Sequence, residues 1–566
     1  MRIGLVTEGG YPYATGEARL WCDRLVRGLD RHEFELYALS RSAEQEERGH
    51  VPLPPQVTSV RTAPLWAPGD DGRTYGRRER RRFAAAFREL VAGVTTGAAQ
   101  PFAAGLYALA ELAREEGGLY AALRSETAVR ALEAACRAPG AGRTLNTVQV
   151  CDLLDFVDEL ERTLRPLSLD WYTGKPVGRL ASVDLCHAAA GGIAALPGLL
   201  AKRFFGVPLL VTEYGVQLRA HYLEQAGAPL SAAVRALLAA FHGRLAAEIY
   251  RQADLVTPGN THARRWQERC GADRARLRTV YPGMEADRFA TAGEDPQAGD
   301  PLTLVWVGRI EPAKDLIGLL HAFAEVRREE PAARLRIFGA PARTAESVAY
   351  LAHCRALAAQ LFPDEAANAV TAGDNPVSFE EIGGPEAPEP ADAYASGRVV
   401  VLSSVVEGFP ISLVEAMFCG RATVSTDAGA VCEVIGGTGL VVPPRNPRAL
   451  ADACLALLRD PERAERLGAA ARARALELFT VEQNIAAFRE IYLELIARSP
   501  APPGEAVPFG VPAEARVPGT WPTAPAAPTA AAPKRAAAAH HGPAAAPSGP
   551  DASADPTTPA TAEAPV

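Results

Sequence analysis

The sequence predicts an α/β protein with two parallel-sheet domains followed by a disordered tail, and three observations predict it. Short apolar runs that end in small or polar residues alternate with helical patterns along most of the 566 residues. The alternation stops and restarts at a Gly-, Asp- and Pro-rich break at residues 292–301. From residue 499 the chain is dominated by Ala, Pro, Thr and Gly, with too few large apolar side chains to offset the entropy of ordering. The expected division is a Rossmann-like domain with a helical insertion over 1–292, and a second Rossmann-like domain over 300–480. A closing helix over 481–498 and the tail over 499–566 complete it, and the two sheets are expected to face a cleft.

The elements follow in order. "RIGLVT" reads as a strand, closed by "EGGYPYATG"; a helix is expected over 17–29 and a strand at "FELYAL". Residues 61–170 are Ala- and Arg-rich and largely helical by composition. Their "RRERRR" run (77–82) reads as a solvated helix face, with contact to anionic lipid or an acidic partner as the alternative. Strand runs return at "SVDLCHAAAGG", "VPLLVTEYG", "ADLVTPGN" and "RLRTVYPG", with a long helix ending at Gln252. The second cycle begins at "PLTLVWVGRIEPAKD" and continues through "ARLRIFGAP", "NAVTAG", "RVVVLSS", "ATVSTDAG" and "GLVVPP". Two helical stretches to about residue 497 close it.

Composition narrows the function. A net charge of −8 with mixed signs argues against bulk nucleic-acid binding. Nine scattered cysteines without a C-x-x-C pair read as reduced thiols of a cytoplasmic protein. No apolar run reaches spanning length, and the opening "MRIGLVTEGG" enters a strand pattern rather than a signal peptide. Attachment to the inner membrane face is left open. No D-x-D follows a strand, Asp70-Asp71 lies in a polar loop, and no G-x-G-x-x-G follows the first strand. The expectation is therefore no cofactor, no obligatory metal and no hydride transfer.

The stretches "VGRIEPAKD", "SSVVEGFPISLVEAM" and "GRATVSTDAG" resemble retaining glycosyltransferases of family 4, which have the two-domain GT-B fold. "EGGYPY", "TEYGVQLR" and "VTPGN" resemble the subgroup that includes the Pel-polysaccharide glycosyltransferase. The resemblance spans most of 1–497 and is strongest over 302–444. It implies a C-terminal domain that holds a nucleotide sugar, with a uridine diphosphate sugar as the expected donor, and an N-terminal domain that receives the acceptor.

Breaking a sugar–diphosphate bond leaves negative charge that a metal or fixed cations must meet. Arg309 and Lys314 follow the strand "LTLVWV", and the resemblance assigns them to the diphosphate, with Gly308 beside them. The bland alternative is a solvated charge pair with Asp315. Glu407 and Glu415 stand in the family's E-x7-E pattern, which implies that the first faces the donor sugar and the second the ribose. Gly408 and Pro410 shape the loop so that amides near Phe409 and Ile411 face the ligand. Ile411, Val414 and Phe418 share helical spacing and read as core, while Glu415 alternatively complements the helix dipole from the first turn.

On the acceptor side, relatives carry a Gly-Gly pair where this chain has Gly16-Glu17, so only Gly16 carries over. Tyr214 stands where relatives usually place histidine. His187, after "VDLC", and Arg219, in "TEYGVQLR", complete the candidates; the alternatives are a structural histidine and a solvated arginine. The resulting expectation is a hexosyltransferase acting with retention between a nucleotide sugar and an unknown acceptor hydroxyl, in polysaccharide or glycoconjugate synthesis. The alternatives are a catalytically weak sugar-nucleotide-binding subunit of a polysaccharide assembly complex and a nucleotide-sugar epimerase.

Overall fold

The computed structural model describes residues 1–13, 19–172, 179–225, 230–294, 299–341, 344–363 and 375–498. The expected tail and Gly16 lie outside them. The first sheet holds β1 (Arg2–Glu8), β2 (Glu33–Ser40), β3 (Val57–Pro64), β4 (Leu185–Ala188), β5 (Leu209–Glu213) and β6 (Leu255–Pro258). The second holds β7 (Asp300–Gly308), β8 (Arg334–Gly339), β9 (Val377–Glu381), β10 (Gly397–Leu402), β11 (Ala422–Thr426) and β12 (Leu440–Val442). Their orders are β3-β2-β1-β4-β5-β6 and β12-β11-β10-β7-β8-β9, and every strand pairing is parallel.

Each order reverses direction once, between β1 and β4 in the first sheet and between β7 and β10 in the second. In open α/β sheets the crevice at such a reversal, beyond the carboxyl ends of the strands, is where ligands bind. The near-continuous apolar runs of the sequence have the same origin: strands covered by helices on both faces bury both sets of side chains, as β5 does along its whole length.

The insertion between β3 and β4 is helical, as composition predicts. Helices Arg77–Thr96 and Ala99–Glu116 pack with their backbones in close approach at Gly93 and Gly105. A Cβ on Gly105 would stand 2.3 Å from the Leu90 nitrogen, so any larger residue forces the pair apart. Within the "RRERRR" run, Arg80 donates to the Tyr75 carbonyl and Arg82 pairs with Glu115.

Helix Val481–Arg498, last of the described chain, buries Phe488, Ile491, Tyr492 and Leu495 against Ile3, Leu5 and Leu185 of the first sheet. The polypeptide thus finishes the second domain and returns to the first.

Three details differ from the sequence reading, and one expected strand lies outside the described residues. "RLRTVYPG" forms no strand: it makes one bridge at Leu277, and Arg278 and Val280 donate to Val256 and Pro258 alongside β6. The helix expected over 17–29 is described as Arg19–Gly28. "NAVTAG" falls outside the described residues, and β9 lies further on, at Val377–Glu381. The closing region contains three helices, Pro447–Leu458, Pro461–Leu478 and Val481–Arg498, because Pro447 and Pro461 each start a new one.

Candidate functional site

The loops after β7 and β10 meet at the reversal point of the second sheet. After β7 the chain makes a short 3-10 turn, Pro312–Lys314, and enters helix Leu316–Glu329. Asp315, at φ 48°, caps that helix by accepting from the Gly318 N–H. This removes the bland pairing of Lys314 with Asp315: the Asp315 carboxylate is committed to the cap, and Lys314 turns the other way. Its ammonium donates to Glu407 Oε2 at 2.5 Å, with the two side chains only 13% and 10% exposed.

Further bonds stitch the loops together. Val405 N–H donates to the Ala313 carbonyl and Ser403 Oγ to the Lys314 carbonyl, while Ser404 Oγ donates to Glu407 Oε2 at 3.0 Å. Gly408 N–H reaches Glu407 Oε1, and Gly408 in turn accepts from Ala430 N–H. Gly429 makes this approach feasible: its φ is +60°, and a Cβ there would lie 2.4 Å from the Glu407 carbonyl.

Arg309 is the exposed cation of this edge. Its side chain is 73% exposed and its nearest carboxylate partner is Glu311 at 3.5 Å. It lines a cavity of about 570 Å³ with Ala313, Ala340, Thr344 and Ser347. Gly308, the last residue of β7, accepts from the Ala340 N–H at its rim.

Helix Ile411–Phe418 carries the second glutamate. Its core face is Leu413, Val414, Ala416, Met417 and Phe418; Ile411 is 56% exposed, which corrects its reading as core. Residue 411 is the first of the helix, at the loop, ahead of the buried Leu413 and Val414. The Ile411 N–H donates to the Phe409 carbonyl, so that amide is already used within the turn. Phe409 packs its ring on Phe479, and Pro410 is buried at the cap position.

Glu415 is the fifth helical residue, beyond the first turn, so a helix-dipole role does not account for it. Its carboxylate accepts from Tyr394 Oη at 2.7 Å. Burial pushes its pKa up, against the lowering effect of that hydrogen bond and of Arg288 and Arg24. The structure therefore joins Lys314 directly to Glu407, and places Glu415 in a separate hydrogen bond one helix turn beyond the loop.

Across from these loops lies the first domain. Glu213, at the end of β5, is buried and accepts from Tyr250 Oη, from Gln267 and from the Gln217 N–H, fixing the start of helix Gln217–Gln225. Burial raises its pKa. From this helix Arg219 reaches over and donates to the Glu407 carbonyl at 3.3 Å. Arg219 thus faces the second domain rather than solvent alone.

His187 does not line an open surface. It is fully buried, with Nδ1 against Tyr492 Oη and Nε2 against Thr212 Oγ1, both at 2.7 Å, and burial takes its pKa down to about 3. Tyr214 is half-buried: its hydroxyl accepts from Asn484 Nδ2 at 2.9 Å and its ring meets Trp21 edge-on. Burial raises its pKa, which keeps the phenol neutral.

Several residues of this region escaped sequence reasoning. Glu433 accepts from Tyr281 Oη and from both Thr261 N–H and Oγ1, linking the segments before and after the interdomain break. Asn484 ties Tyr214 to the Tyr281 carbonyl. Tyr394 and Ser404 orient the two motif glutamates. Their roles depend on pairings 3 to 270 positions apart, and only Ser404 stood inside a quoted motif.

Comparison with known proteins bears on both halves. Residues 1–275 match a domain of unknown function, DUF3492, and residues 301–460 match the family described as Glycosyl transferases group 1. The D-inositol 3-phosphate glycosyltransferase of Kineococcus radiotolerans is 32% identical over 259 residues, 40% of this chain and 54% of its own length. The counterpart from Streptomyces bingchenggensis is 30% identical over 40% of this chain and 49% of its own. The glycogen synthase of Mycobacterium tuberculosis is 26% identical over 55% of this chain and 68% of its own. The chain spans about half the length of the first two relatives. Among solved structures, Anabaena Alr3699/HepE in complex with UDP superposes with a TM-score of 0.53 at 15% identity, covering 87% of this chain and all of that one. Sucrose-phosphate synthase from Thermosynechococcus elongatus gives 0.51 at 17% identity over 88% and 99%. The fold is GT-B, and the match to Glycosyl transferases group 1 falls on residues 301–460, within the second domain.

Proposed function

We propose that this chain is a retaining hexosyltransferase of the family 4 type that moves a sugar from a nucleoside diphosphate, with uridine as the favoured base, to an acceptor hydroxyl. The observation that carries the reading is the Lys314–Glu407 pair at the reversal point of the second sheet, with Arg309 exposed beside it. It lies inside the segment that matches glycosyltransferases. The uridine base and hexose are supported by the resemblance of the sequence motifs.

In this reading Arg309 and Lys314 meet the charge that grows on the leaving diphosphate, Arg309 through its planar fork and Lys314 as a point charge. Glu407 holds Lys314 in place before the donor arrives, so the cation is positioned without reorganisation during reaction. One Glu407 oxygen also faces the donor-sugar hydroxyls, and Glu415 takes the ribose hydroxyls. Two fixed cations do the work of a divalent ion, so no metal is required. The leaving phosphate accepts the acceptor's proton on the face where the new bond forms, which preserves the anomeric configuration. Arg219, anchored on the Glu407 carbonyl, closes the first domain over the donor and excludes water.

The test is a transfer assay of the full chain with a panel of nucleoside diphosphate sugars and oligosaccharide acceptors, reading the product's anomeric configuration by NMR. A glycoside with the donor's configuration is expected; an inverted product overturns retention.

A second reading has one observation in its favour. Tyr214 stands in place of histidine and spends its hydroxyl on Asn484, which suits a sugar-nucleotide-binding subunit that turns over poorly. Donor binding without transfer or hydrolysis across the panel, together with activity gained by Tyr214→His, would favour it. A donor sugar converted to its epimer without acceptor would identify an epimerase instead.

A further inference from the structure

A second cavity, also about 570 Å³, opens at the reversal point of the first sheet. Glu8 ends β1, Arg41 follows β2 and Trp66 follows β3, and all three line it. The opposite wall comes from the helical insertion, through Glu159 and Arg162 of helix Val150–Leu164. Leu65 and Leu238 give it apolar, buried floor.

The cavity lies one helix away from the donor loops. Gln217 and His221, four residues apart on helix Gln217–Gln225, face into it, while Arg219 between them reaches the Glu407 carbonyl. An α-helix with its side chains is about 10 Å across, so an occupant of the cavity sits beside the site proposed for the donor sugar.

The charge of the lining decides the class of occupant. Glu8 pairs with Arg41 at 3.0 Å and Glu159 with Arg162 at 3.1 Å, so the carboxylates and guanidiniums balance. Burial and the neighbouring His221 take the His242 pKa down to about 3, which leaves that imidazole uncharged. No excess charge selects an anion or a cation. What remains is a dense set of donors and acceptors around one large aromatic ring: Trp66 is 43% exposed, next to the buried Leu65. A sugar ring has the matching surface, with axial C–H groups on one face and hydroxyls around its rim.

We propose that this cavity is an acceptor subsite for an uncharged saccharide. Trp66 lies under one face of a sugar ring, and the Glu8–Arg41 and Glu159–Arg162 pairs accept from and donate to its hydroxyls. The assignment rests on the transferase reading above but is testable without turnover.

The experiment is saturation-transfer NMR on the full chain without donor, using maltotriose, cellotriose and N-acetylated chitotriose as neutral probes. Trigalacturonate and inorganic phosphate serve as anionic ones. UDP binding is measured in parallel. At least one neutral trisaccharide is expected to bind; Trp66→Ala should weaken it about tenfold or more, whereas Trp66→Phe keeps it within a few-fold. Glu159→Gln, an exposed polar change that leaves the fold alone, should weaken it severalfold. UDP affinity should not move in any variant. Silence of all neutral probes, binding of the anionic probes alone, or undiminished binding to Trp66→Ala and Glu159→Gln would each overturn the proposal. Loss of UDP binding in the wild type with saccharide binding intact would sink the donor reading and leave the saccharide site standing.

Discussion

Lys314 and Glu407 neutralise each other in a nearly buried setting, and this shapes what their replacement does. Removing one partner leaves the other charge with little solvent, a loss of about 3 kcal/mol or more. Lys314→Ala is therefore expected to lower the melting temperature as well as turnover, the latter by about a hundredfold or more if a transition-state charge contact is lost. The Lys314→Ala/Glu407→Gln double variant separates the two effects. Its melting temperature should recover towards wild type while its turnover stays low; recovery of both would deny Lys314 a role in chemistry. His187 gives a second prediction. A histidine whose pKa is about 3 when folded and about 6.5 when unfolded binds its proton preferentially in the unfolded chain. Its neutral form supports the fold above pH about 6.5, and that support is lost as pH falls from there towards 3. Denaturant titrations at pH 7 and pH 4.5 should show a loss of about 2 kcal/mol from this residue, smaller in His187→Gln. An identical pH slope in the two proteins would contradict its assignment as a buried neutral histidine.

Among the elements, those with a strong local signal were legible and those defined by distant partners were not. β7 and β10 declare themselves as unbroken apolar runs, because both faces are covered. β9 has the burial pattern of an edge strand and a sequence, "VSFEE", that alternates too briefly to stand out. Ile411 misled for the opposite reason: helical spacing put it on the core face, but it sits at the first position, before the neighbouring elements cover the helix. The E-x7-E spacing marked both glutamates, yet it carried no sign that Tyr394 would hold Glu415. Helix Val481–Arg498 has a consequence that can be measured. Ending the chain after residue 480 removes Phe488, Ile491 and Tyr492 from the core of the first domain, each buried aromatic alone contributing about 3 kcal/mol or more. That truncation should abolish cooperative unfolding of the first domain, whereas ending the chain at 498 should leave the melting temperature nearly unchanged. Equal melting of the two truncations would refute the packing role given to this helix.

At the scale of the molecule, two sheets share one strand order; a cavity opens at the reversal point of the first, and another beside the loops that follow β7 and β8 in the second. The repetition of strand and helix made the two-domain architecture readable from sequence alone. Contacts between the domains such as Arg219 to Glu407, and Thr261 and Tyr281 to Glu433, were not readable, since each of these joins residues more than 150 positions apart. Among the described residues no group of three or more His, Cys, Asp or Glu side chains is placed to hold a metal ion, and no helix is long and apolar enough to cross a membrane. Turnover carried by Arg309 and Lys314 should persist in excess EDTA; activity lost to the chelator and restored by magnesium or manganese would require a metal in the mechanism.

The edge of the second sheet is expected to bind a nucleoside diphosphate through its own cations. Arg309 tests it most directly, because its exposed side chain makes one weak contact and contributes little to the fold. Calorimetric titration of UDP into the full chain in EDTA, wild type against Arg309→Ala, is the measurement. The wild type is expected to bind UDP, and Arg309→Ala to bind it about tenfold more weakly at unchanged melting temperature, the loss of about 1.4 kcal/mol expected for one charge-assisted contact. Equal affinity in the two proteins, or no UDP binding by the wild type, would contradict it.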